Sequence, residues 1–183
     1  LAAYGKIIPQ EIIDLFPKGI INIHPSLLPK WRGASPIEAA MLAGDKQTGI
    51  TIIRLDEEMD HGPIVMQFTE EIKPRDTKVN LRERLFEKAA KSLVEILPEY
   101  LNGKIEPIEQ AHTKATYTTL VKKEYGFIPP KYLSAVLEGR TLSEDWPIPF
   151  IKTYNLQPTT YNLDRFIRAV SPWPGAFTKL KIK

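Results

Sequence analysis

A short isoleucine-rich run that ends in two polar residues and a proline most constrains how this chain can fold. Residues 19–25 are Gly-Ile-Ile-Asn-Ile-His-Pro, and β-branched residues bounded by glycine and proline predict a buried strand. Asn22 and His24 interrupt the run two residues apart, and residues at that spacing share one face of a strand. An amide and an imidazole should therefore face one point at the end of a buried strand, where open α/β sheets bind ligands. The alternative is that this polar pair only caps backbone groups.

The segment after this strand has few alternative conformations. Two prolines fix φ on either side of residues 26–28. Ser35 and Glu38 have the spacing of a helix-capping box, and a proline follows Ser35 at the first helical position. We expect a helix over residues 36–42 that ends at Gly44.

An acidic loop supplies a third candidate group. Residues 48–55 predict a second strand, and the loop that follows it is acidic. The separation between His24 and this loop suits one strand–helix–strand crossover, so a carboxylate of the loop could reach the imidazole. The pattern alone does not choose among the four acids of the loop, which are Asp56, Glu57, Glu58 and Asp60.

The rest of the chain predicts further helices and strands. The spacing of apolar residues predicts a long helix over residues 78–101, capped by Thr77 and kinked or ended early by Pro98. A short helix over residues 9–16 should bury its two isoleucines and Phe16. The other expected elements are strands over residues 64–72 and 105–108 and helices over residues 130–138 and 160–170.

The composition is that of an ordinary globular chain. Hydrophobic residues make up 43% and charged residues 26%, and the formal net charge is +3. Such a small basic excess is weak evidence for a nucleic-acid partner. The chain has no cysteine, which excludes disulfides and metal–thiolate sites within it. No apolar run approaches the roughly 20 residues that span a bilayer, so we expect no membrane partner.

Several common chemistries lack their sequence patterns. The chain contains no glycine-rich phosphate loop, no cysteine or histidine spacing typical of zinc, and no serine-hydrolase elbow. Arg32 beside Gly33 could be a surface guanidinium or could bind a carboxylate or phosphate. His61 and His112 have no convergent partner nearby in the sequence, and we expect both to be solvated.

Four motifs together resemble the folate-dependent formyltransferase family. They are Asn22-Ile-His-Pro-Ser-Leu-Leu-Pro29, Arg32-Gly-Ala-Ser-Pro-Ile37, Thr48-Gly49 and Asp60-His-Gly62. The resemblance extends over nearly the full chain. It is highly specific for the superfamily and less specific for the acceptor of the formyl group.

The resemblance implies an α/β fold in which residues 1–110 form the C-terminal half of a Rossmann-like formyltransferase domain. Residues 111–159 would be a linker with an insertion, and residues 160–183 the start of a small, OB-like β-barrel domain that supports tRNA binding. The chain opens inside an apolar strand and ends inside another, which is expected over residues 177–183. We therefore expect a fragment that is inactive and poorly folded when isolated.

The resemblance also selects site residues. It implies that Asn22, His24 and Asp60 are catalytic, because the family's acid lies two residues before a glycine. It implies folate contacts through the backbone of the segment after the first strand, unless the prolines there only shape the loop. The folate-contacting residues would be Ser26, Leu27, Leu28 and Pro29, and the acceptor-contacting residues Arg32 and Gly33.

The activity that the resemblance implies is transfer of a formyl group from 10-formyltetrahydrofolate, without a metal, to initiator methionyl-tRNA for translation initiation. The features that favour this acceptor are in residues 32–37, 115–123 and 168–176. The alternative acceptor is a small amine, either glycinamide ribotide or a nucleotide amino-sugar, and residues 60–67 resemble the purine-pathway enzyme. A third hypothesis is a non-catalytic folate- or RNA-binding relative. We expect a cytoplasmic monomer.

In this chemistry an amine attacks the formyl carbon while negative charge develops on the formyl oxygen. The Asn22 amide and a His24 N–H suit that charge, and one such donor is typically worth ~3 kcal/mol. We expect ionised Asp60 to raise the pKa of His24 and to fix its tautomer. Either His24 or Asp60 could take the amine proton.

Overall fold

The fold is built around an antiparallel sheet with helices packed on it. The computed structural model describes residues 1–2, 4–152 and 154–179. The strands are β1 (Ile21–His24), β2 (Arg32–Gly33), β3 (Gln47–Arg54), β4 (Ile64–Glu71), β5 (Tyr117–Thr118), β6 (Trp146–Pro147) and β7 (Asn155–Leu156). The helices are α1 (Gln10–Ile13), α2 (Pro36–Ala43), α3 (Lys78–Leu101), α4 (Pro130–Leu137) and α5 (Thr160–Val170), with two short 3₁₀ helices, His112–Lys114 and Lys123–Gly126.

The main sheet has the order β1-β3-β4, with β3 in the centre. The six inner residues of β3 are all buried, and both neighbouring strands run antiparallel to it. The expected crossover connection, which would make β1 and β3 parallel, is therefore wrong. The chain first pairs β2 with β5 in a separate two-stranded sheet and returns from α2 into β3 in the opposite direction.

The two helices predicted beside the sheet are confirmed. α2 ends where Gly44 adopts a left-handed conformation with φ of +72°, which glycine tolerates without strain. α3 spans the predicted residues, and the Thr77 hydroxyl accepts the backbone N–H of Asn80 as a helix cap. Leu81 and Leu85 on its apolar face are fully buried in the core against α2 and β3.

Two predictions about helix ends are wrong. The hydroxyl of Ser35 donates to the carbonyl of Thr119 at 2.8 Å instead of capping α2, so the predicted capping box does not form. α3 does not end early at Pro98 but continues to Leu101, so the early end is wrong, while the alternative of a kink stays a prediction. Proline removes only its own N–H from the ladder, and the carbonyl of Pro98 still accepts from Asn102 at 3.1 Å.

Two shorter elements are smaller than predicted. α1 covers four residues, and Ile12 and Phe16, expected in its buried face, are 46% and 52% exposed. Apolar periodicity marks a face of a helix but does not say what covers it. The expected strand over residues 105–108 reduces to one antiparallel bridge between Ile108 and Ile64.

The second half of the chain contributes to the same hydrophobic core as the sheet. α4 and α5 are present where the sequence predicts them, and α5 lies against α2. Phe166 of α5 packs on Trp146 with ring centroids 4.4 Å apart, and both side chains are buried. The core therefore includes side chains from both sides of residue 110, and the division into domains at residues 110 and 159 stays a prediction.

The first residues of the chain pair with the main sheet. At the start, Leu1 and Ala2 run parallel to β1, with the carbonyl of Leu1 accepting the N–H of Ile23 at 3.0 Å. At the other end, a strand is predicted over residues 177–183: Phe177 forms a parallel bridge with Phe127, and residues 180–183 lie outside the described residues. Within the ranges that the structure describes, no helix is both long and apolar enough to cross a membrane.

Candidate active site

His24 lies at the end of β1 and is buried, with only 4% of its surface exposed. Its Nε2 is 3.0 Å from the carbonyl oxygen of Trp31. Because a carbonyl only accepts hydrogen bonds, this nitrogen carries the proton. Trp31 is itself anchored, since its indole N–H donates to Asp45 at 2.9 Å. The other ring nitrogen of His24, Nδ1, then faces Oδ1 of Asp60 at 3.4 Å.

Asp60 is the acid of the loop that lies beside His24. Its second carboxylate oxygen, Oδ2, accepts the N–H of Gly33 at 2.8 Å, which leaves Oδ1 turned toward the imidazole. Asp56, one of the rival acids, is bonded instead to the ring of His61 at 2.6 Å. The other two rivals are exposed. The geometry therefore distinguishes Asp60 from acids that the sequence pattern alone leaves open.

Gly33 reaches Asp60 because β2 packs closely against β5. The φ of Gly33 is +103°, and a Cβ at this position would lie 2.2 Å from the carbonyl oxygen of Thr118. Only glycine satisfies both the backbone conformation and the close approach. The backbone is thus shaped to present this N–H to the carboxylate.

Asn22 lies two residues before His24 in β1, so both side chains emerge on the same face of the strand. Asn22 is half-buried. Its side-chain amide makes no hydrogen bond to any residue in the described part of the chain. An amide in this position has its donors available for a ligand oxygen.

Thr51 and Gln67 hold the predicted folate loop from the neighbouring strands. The Thr51 hydroxyl donates to the carbonyl of Ser26 at 2.6 Å and accepts the N–H of Leu28 at 3.1 Å. The Gln67 amide donates to the carbonyl of Leu28 at 3.0 Å and to the Thr51 hydroxyl at 2.8 Å. Sequence reasoning missed both residues, although a threonine inside a buried isoleucine-rich strand is a signal that could have indicated Thr51.

These contacts leave one backbone donor in the loop. Ser26 donates its N–H to the carbonyl of His24, Leu28 donates to a hydroxyl, and Pro29 has no N–H. The N–H of Leu27 is therefore the amide of this loop without an acceptor among the described residues. Leu27 is partly exposed, so a ligand can reach it.

Arg32 is buried, with 2% of its surface exposed, so the alternative of a surface guanidinium is wrong. Its Nε and Nη2 donate to Oε1 of Gln110 at 3.3 and 2.7 Å, and Nη2 is 2.8 Å from Nδ1 of His112. A direct role of Arg32 in acceptor binding stays a prediction. Sequence reasoning missed Gln110, because it lies 78 residues from Arg32 and no local pattern marks it.

His112 is exposed, as expected, whereas His61 is partly buried, and both rings have partners that the sequence did not indicate. Their rings stack with centroids 3.9 Å apart and planes 11° from parallel. Each ring also has a charged partner, Asp56 for His61 and Arg32 for His112. The two residues are far apart in the sequence, so no local pattern indicates that their rings stack.

Burial has the largest influence on the protonation of His24. It lowers the pKa of His24 below the ordinary value, because the protonated ring would lose its hydration. The charge of Asp60 and the carbonyl of Trp31 favour the protonated form but do not outweigh burial. Asp60 thus acts in the expected direction and raises this pKa, but burial, which the sequence alone does not indicate, decides the net direction. At neutral pH the ring is neutral, with its proton on Nε2 and a lone pair on Nδ1.

Because the pKa of His24 is lowered in the folded protein, we expect the free energy of unfolding to fall as the pH falls below about 6.5. The unfolded chain then binds a proton that the folded chain excludes, so the free energy of unfolding falls by at most about 1.4 kcal/mol per pH unit. In His24→Gln the titrating group is absent. The stability difference between parent and variant, measured by chemical denaturation of the complete protein, should therefore shrink between about pH 7.5 and about pH 5.5. A difference that grows on acidification would mean that Asp60 outweighs burial.

The arrangement combines a proton acceptor with free hydrogen-bond donors. His24 offers a lone pair on Nδ1 beside Asp60, while Asn22 and Leu27 have donors without acceptors among the residues that the structure describes. Among the residues that the structure describes, no group of three or more possible ligands could hold a metal ion. Such a site suits removal of a proton from a nucleophile and stabilisation of an oxygen on which negative charge develops.

Comparisons with known proteins identify relatives of this chain. A family model described as "Formyl transferase" matches residues 1–97. The methionyl-tRNA formyltransferase of Chloroflexus aurantiacus is 40% identical over 178 residues, which is 97% of this chain and 49% of that protein. The chain thus spans about half the length of the curated relatives it matches.

Two solved structures are similar in fold. The formyltransferase PseJ from Anoxybacillus kamchatkensis, in complex with UDP-4,6-dideoxy-4-formamido-L-AltNAc and tetrahydrofolate, has a TM-score of 0.61 and 32% identity, covering 75% of this chain and 69% of that one. A 4-N formyltransferase from Francisella tularensis has a TM-score of 0.67 and 20% identity, covering 94% and 61%. The Rossmann-like α/β fold predicted from the sequence is confirmed. Since the family model matches more than half of its length, the chain belongs to the formyl transferase family.

Proposed function

We propose that the protein containing this chain transfers a formyl group from 10-formyltetrahydrofolate to the amino group of initiator methionyl-tRNA for translation initiation. The observation that carries the proposal is the pair of buried His24 and partly buried Asp60 at the end of the strand that also bears Asn22, whose amide has no partner among the described residues. Relatives that are named methionyl-tRNA formyltransferase and are similar over nearly the whole chain support the choice of acceptor.

His24 accepts the proton of the attacking amine at Nδ1 as the new C–N bond forms. Tetrahydrofolate leaves when the bond from the formyl carbon to its nitrogen breaks and that nitrogen takes up a proton. Burial keeps the ring neutral, so the lone pair is available at neutral pH. Once the ring is protonated, its Nδ1–H faces the carboxylate of Asp60, whose charge stabilises the imidazolium. Of the two candidates for the proton, we therefore assign it to His24 and give Asp60 the role of stabilising the protonated ring.

Asn22 stabilises the negative charge that develops on the formyl oxygen. Its amide N–H groups have no acceptor in the described part of the chain, and one such donor is typically worth about 3 kcal/mol. The Nε2–H of His24 is engaged by the carbonyl of Trp31 at 3.0 Å, so it is not free to share this task. The role therefore falls to Asn22.

The formyl donor binds along the loop of Ser26, Leu27, Leu28 and Pro29. The N–H of Leu27 is the backbone donor of this loop that a folate carbonyl or ring nitrogen can accept, because the other polar groups bond within the protein. Thr51 keeps the loop in the conformation that presents this N–H. The donor is thereby held on the side of β1 that carries the proposed catalytic residues.

The finer organisation of the chain is part of the proposal. Residues 111–159 form a linker with an insertion, and residues 160–183 begin an OB-like β-barrel domain that supports tRNA binding. The packing of α5 against α2 would anchor that beginning to the catalytic domain. Translation initiation takes place in the cytoplasm, where we propose that the protein acts as a monomer.

A second candidate acceptor is a small amine. The solved structures of similar fold are named as formyltransferases, and one contains a nucleotide-linked 4-formamido sugar, which is the product expected of transfer to an amino-sugar. This observation favours a nucleotide amino-sugar over glycinamide ribotide within the small-molecule alternative. The chemistry at His24 and Asp60 would be the same for either class of acceptor.

The experiment uses the complete reading frame that encodes this chain. We expect the purified protein to transfer formyl from 10-formyltetrahydrofolate to charged initiator methionyl-tRNA, and His24→Ala to lose this activity by orders of magnitude. Parallel assays offer glycinamide ribotide and a UDP-linked 4-amino sugar. Transfer to one of these small amines, with none to tRNA, would overturn the proposed acceptor and assign the protein to the alternative.

A further inference from the structure

Gln110 is a buried amide whose polar atoms are all in use near the candidate site. It is 4% exposed and lies in the stretch that joins α3 to the first 3₁₀ helix. Its Nε2 lies 3.0, 2.9 and 2.7 Å from the carbonyl oxygens of Asp60, His61 and Gly62. The two hydrogens of this NH2 group are thus shared among three consecutive carbonyls of the acidic loop, and the first belongs to the candidate catalytic acid.

The other end of the same amide is also fixed. Oε1 of Gln110 accepts from Nε and Nη2 of Arg32, a residue that is itself buried. Arg32 directly precedes Gly33, whose N–H donates to the carboxylate of Asp60. Gln110 therefore holds the backbone carbonyl of Asp60, and the N–H of Gly33 holds its carboxylate. Arg32 connects the two contacts, because it binds Gln110 and precedes Gly33.

The conformation of Asp60 requires such support. Its φ is +51°, in the left-handed region that non-glycine residues rarely adopt. A residue in this region keeps its conformation only when its surroundings fix it. The bonds from Gln110 to the carbonyls on and after Asp60 hold the loop at this point.

The contact between Asp60 and His24 is sensitive to where the loop lies. The two side chains are 3.4 Å apart, which is longer than an ordinary hydrogen bond between these atoms. The attraction of the pair alone therefore does not set the distance, and a shift of the loop by about 1 Å would separate them. The loop itself must be held by other groups.

We propose that Gln110 is a positioning residue that fixes the carboxylate of Asp60 against His24. The inference rests on the proposed formyl transfer for its effect on rate, but its geometric part concerns only these three residues. Gln110 acts through Asp60 and does not touch the reacting atoms. Arg32 serves as the anchor that keeps the Gln110 amide pointing at the loop.

The test compares Gln110→Met, Gln110→Glu and the control Gln47→Glu in the complete protein. Methionine keeps the length of the side chain without its hydrogen bonds. Glutamate keeps an acceptor for Arg32 but turns an oxygen toward the loop carbonyls, so it releases the loop while retaining the anchor. Gln47 is exposed at the start of β3, away from the acidic loop, and its variant should match the parent.

We expect both Gln110 variants to lower kcat about 10²-fold, while KM for 10-formyltetrahydrofolate stays within about threefold of the parent value. A second readout does not require activity. In NMR spectra of histidine-labelled protein, the titration of His24, assigned with His24→Gln, should move to lower pH when Asp60 leaves its place, because the carboxylate favours the protonated ring. Gln110→Glu remains informative if Gln110→Met does not fold.

Two outcomes would overturn the role of Gln110, and a third would overturn the proposed function. An unchanged kcat together with an unchanged His24 titration would overturn the role of Gln110. A fall in activity that only follows the loss of folded protein, with the His24 titration of the folded fraction unchanged, would also overturn it by reducing Gln110 to a structural residue. A parent protein that formylates none of the acceptors would overturn the proposed function, and the His24 titration would then decide on Gln110 by itself.

Discussion

His24→Ala should lower kcat for formyl transfer by about 10²–10⁴-fold, the range expected for loss of a general base. The substitution removes Nδ1, which we propose to take the proton of the amine, and leaves the carbonyl of Trp31 without its donor. KM for 10-formyltetrahydrofolate should change much less, because Thr51 and Gln67 hold the donor loop independently of the imidazole. Steady-state kinetics of the complete protein on methionyl-tRNA measures both constants.

Asp60→Asn tests the second member of the pair without changing the size of its side chain. Asparagine retains an oxygen for the N–H of Gly33 but removes the charge that stabilises protonated His24. We expect a loss of kcat of similar size, about 10²–10⁴-fold. In the double variant with His24→Ala the loss should hardly exceed that of His24→Ala alone, because residues that act as a unit are not additive.

The matched control for the acid is Glu57→Gln in the same loop. Glu57 is exposed, and its variant should keep kcat within about twofold of the parent, as surface substitutions away from such contacts usually do. Full activity in Asp60→Asn together with a large loss in Glu57→Gln would contradict the assignment. The catalytic acid would then be another member of the loop, as the sequence pattern by itself allows.

The largest effect on stability should follow from Phe166→Ala. Phe166 is 1% exposed, and its ring packs on Trp146 in the core that α5 shares with α2. Truncating a buried phenylalanine costs about 3–5 kcal/mol, from lost burial and from the cavity that remains. Denaturant unfolding of the complete protein, followed by tryptophan fluorescence, should show this loss in the transition that also unfolds the central sheet.

Ile167→Ala is the control for that substitution. Ile167 is the next residue of the same helix but is 43% exposed, so its loss should change stability by less than about 1 kcal/mol. If Phe166→Ala instead destabilised only a separate transition and left that of the sheet unchanged, α5 would fold with a different unit. The proposed boundary at residue 160 would then also separate two cooperative units.

The helices illustrate how far local sequence information reaches. α5 begins and ends where the sequence predicts, because its amphipathic pattern is a local signal. The capping role predicted for Ser35 is wrong because of a contact that is not local. Its hydroxyl donates to the carbonyl of Thr119, which is far away in the sequence. Likewise, the exposure of Ile12 depends on which surfaces cover α1, and no pattern inside the helix contains that information.

The sequence by itself determined the strand that carries Asn22 and His24, the long helix α3, and the family to which the chain belongs. These conclusions depend on residue types at short spacings, and a strand or helix translates short spacings directly into positions on a face. Tertiary structure alone decided that Asp60 meets His24, that Gln110 holds Asp60, and that burial lowers the pKa of His24. These features depend on which distant segments pack together and exclude water, and that exclusion follows from the whole fold rather than from any short stretch of the chain.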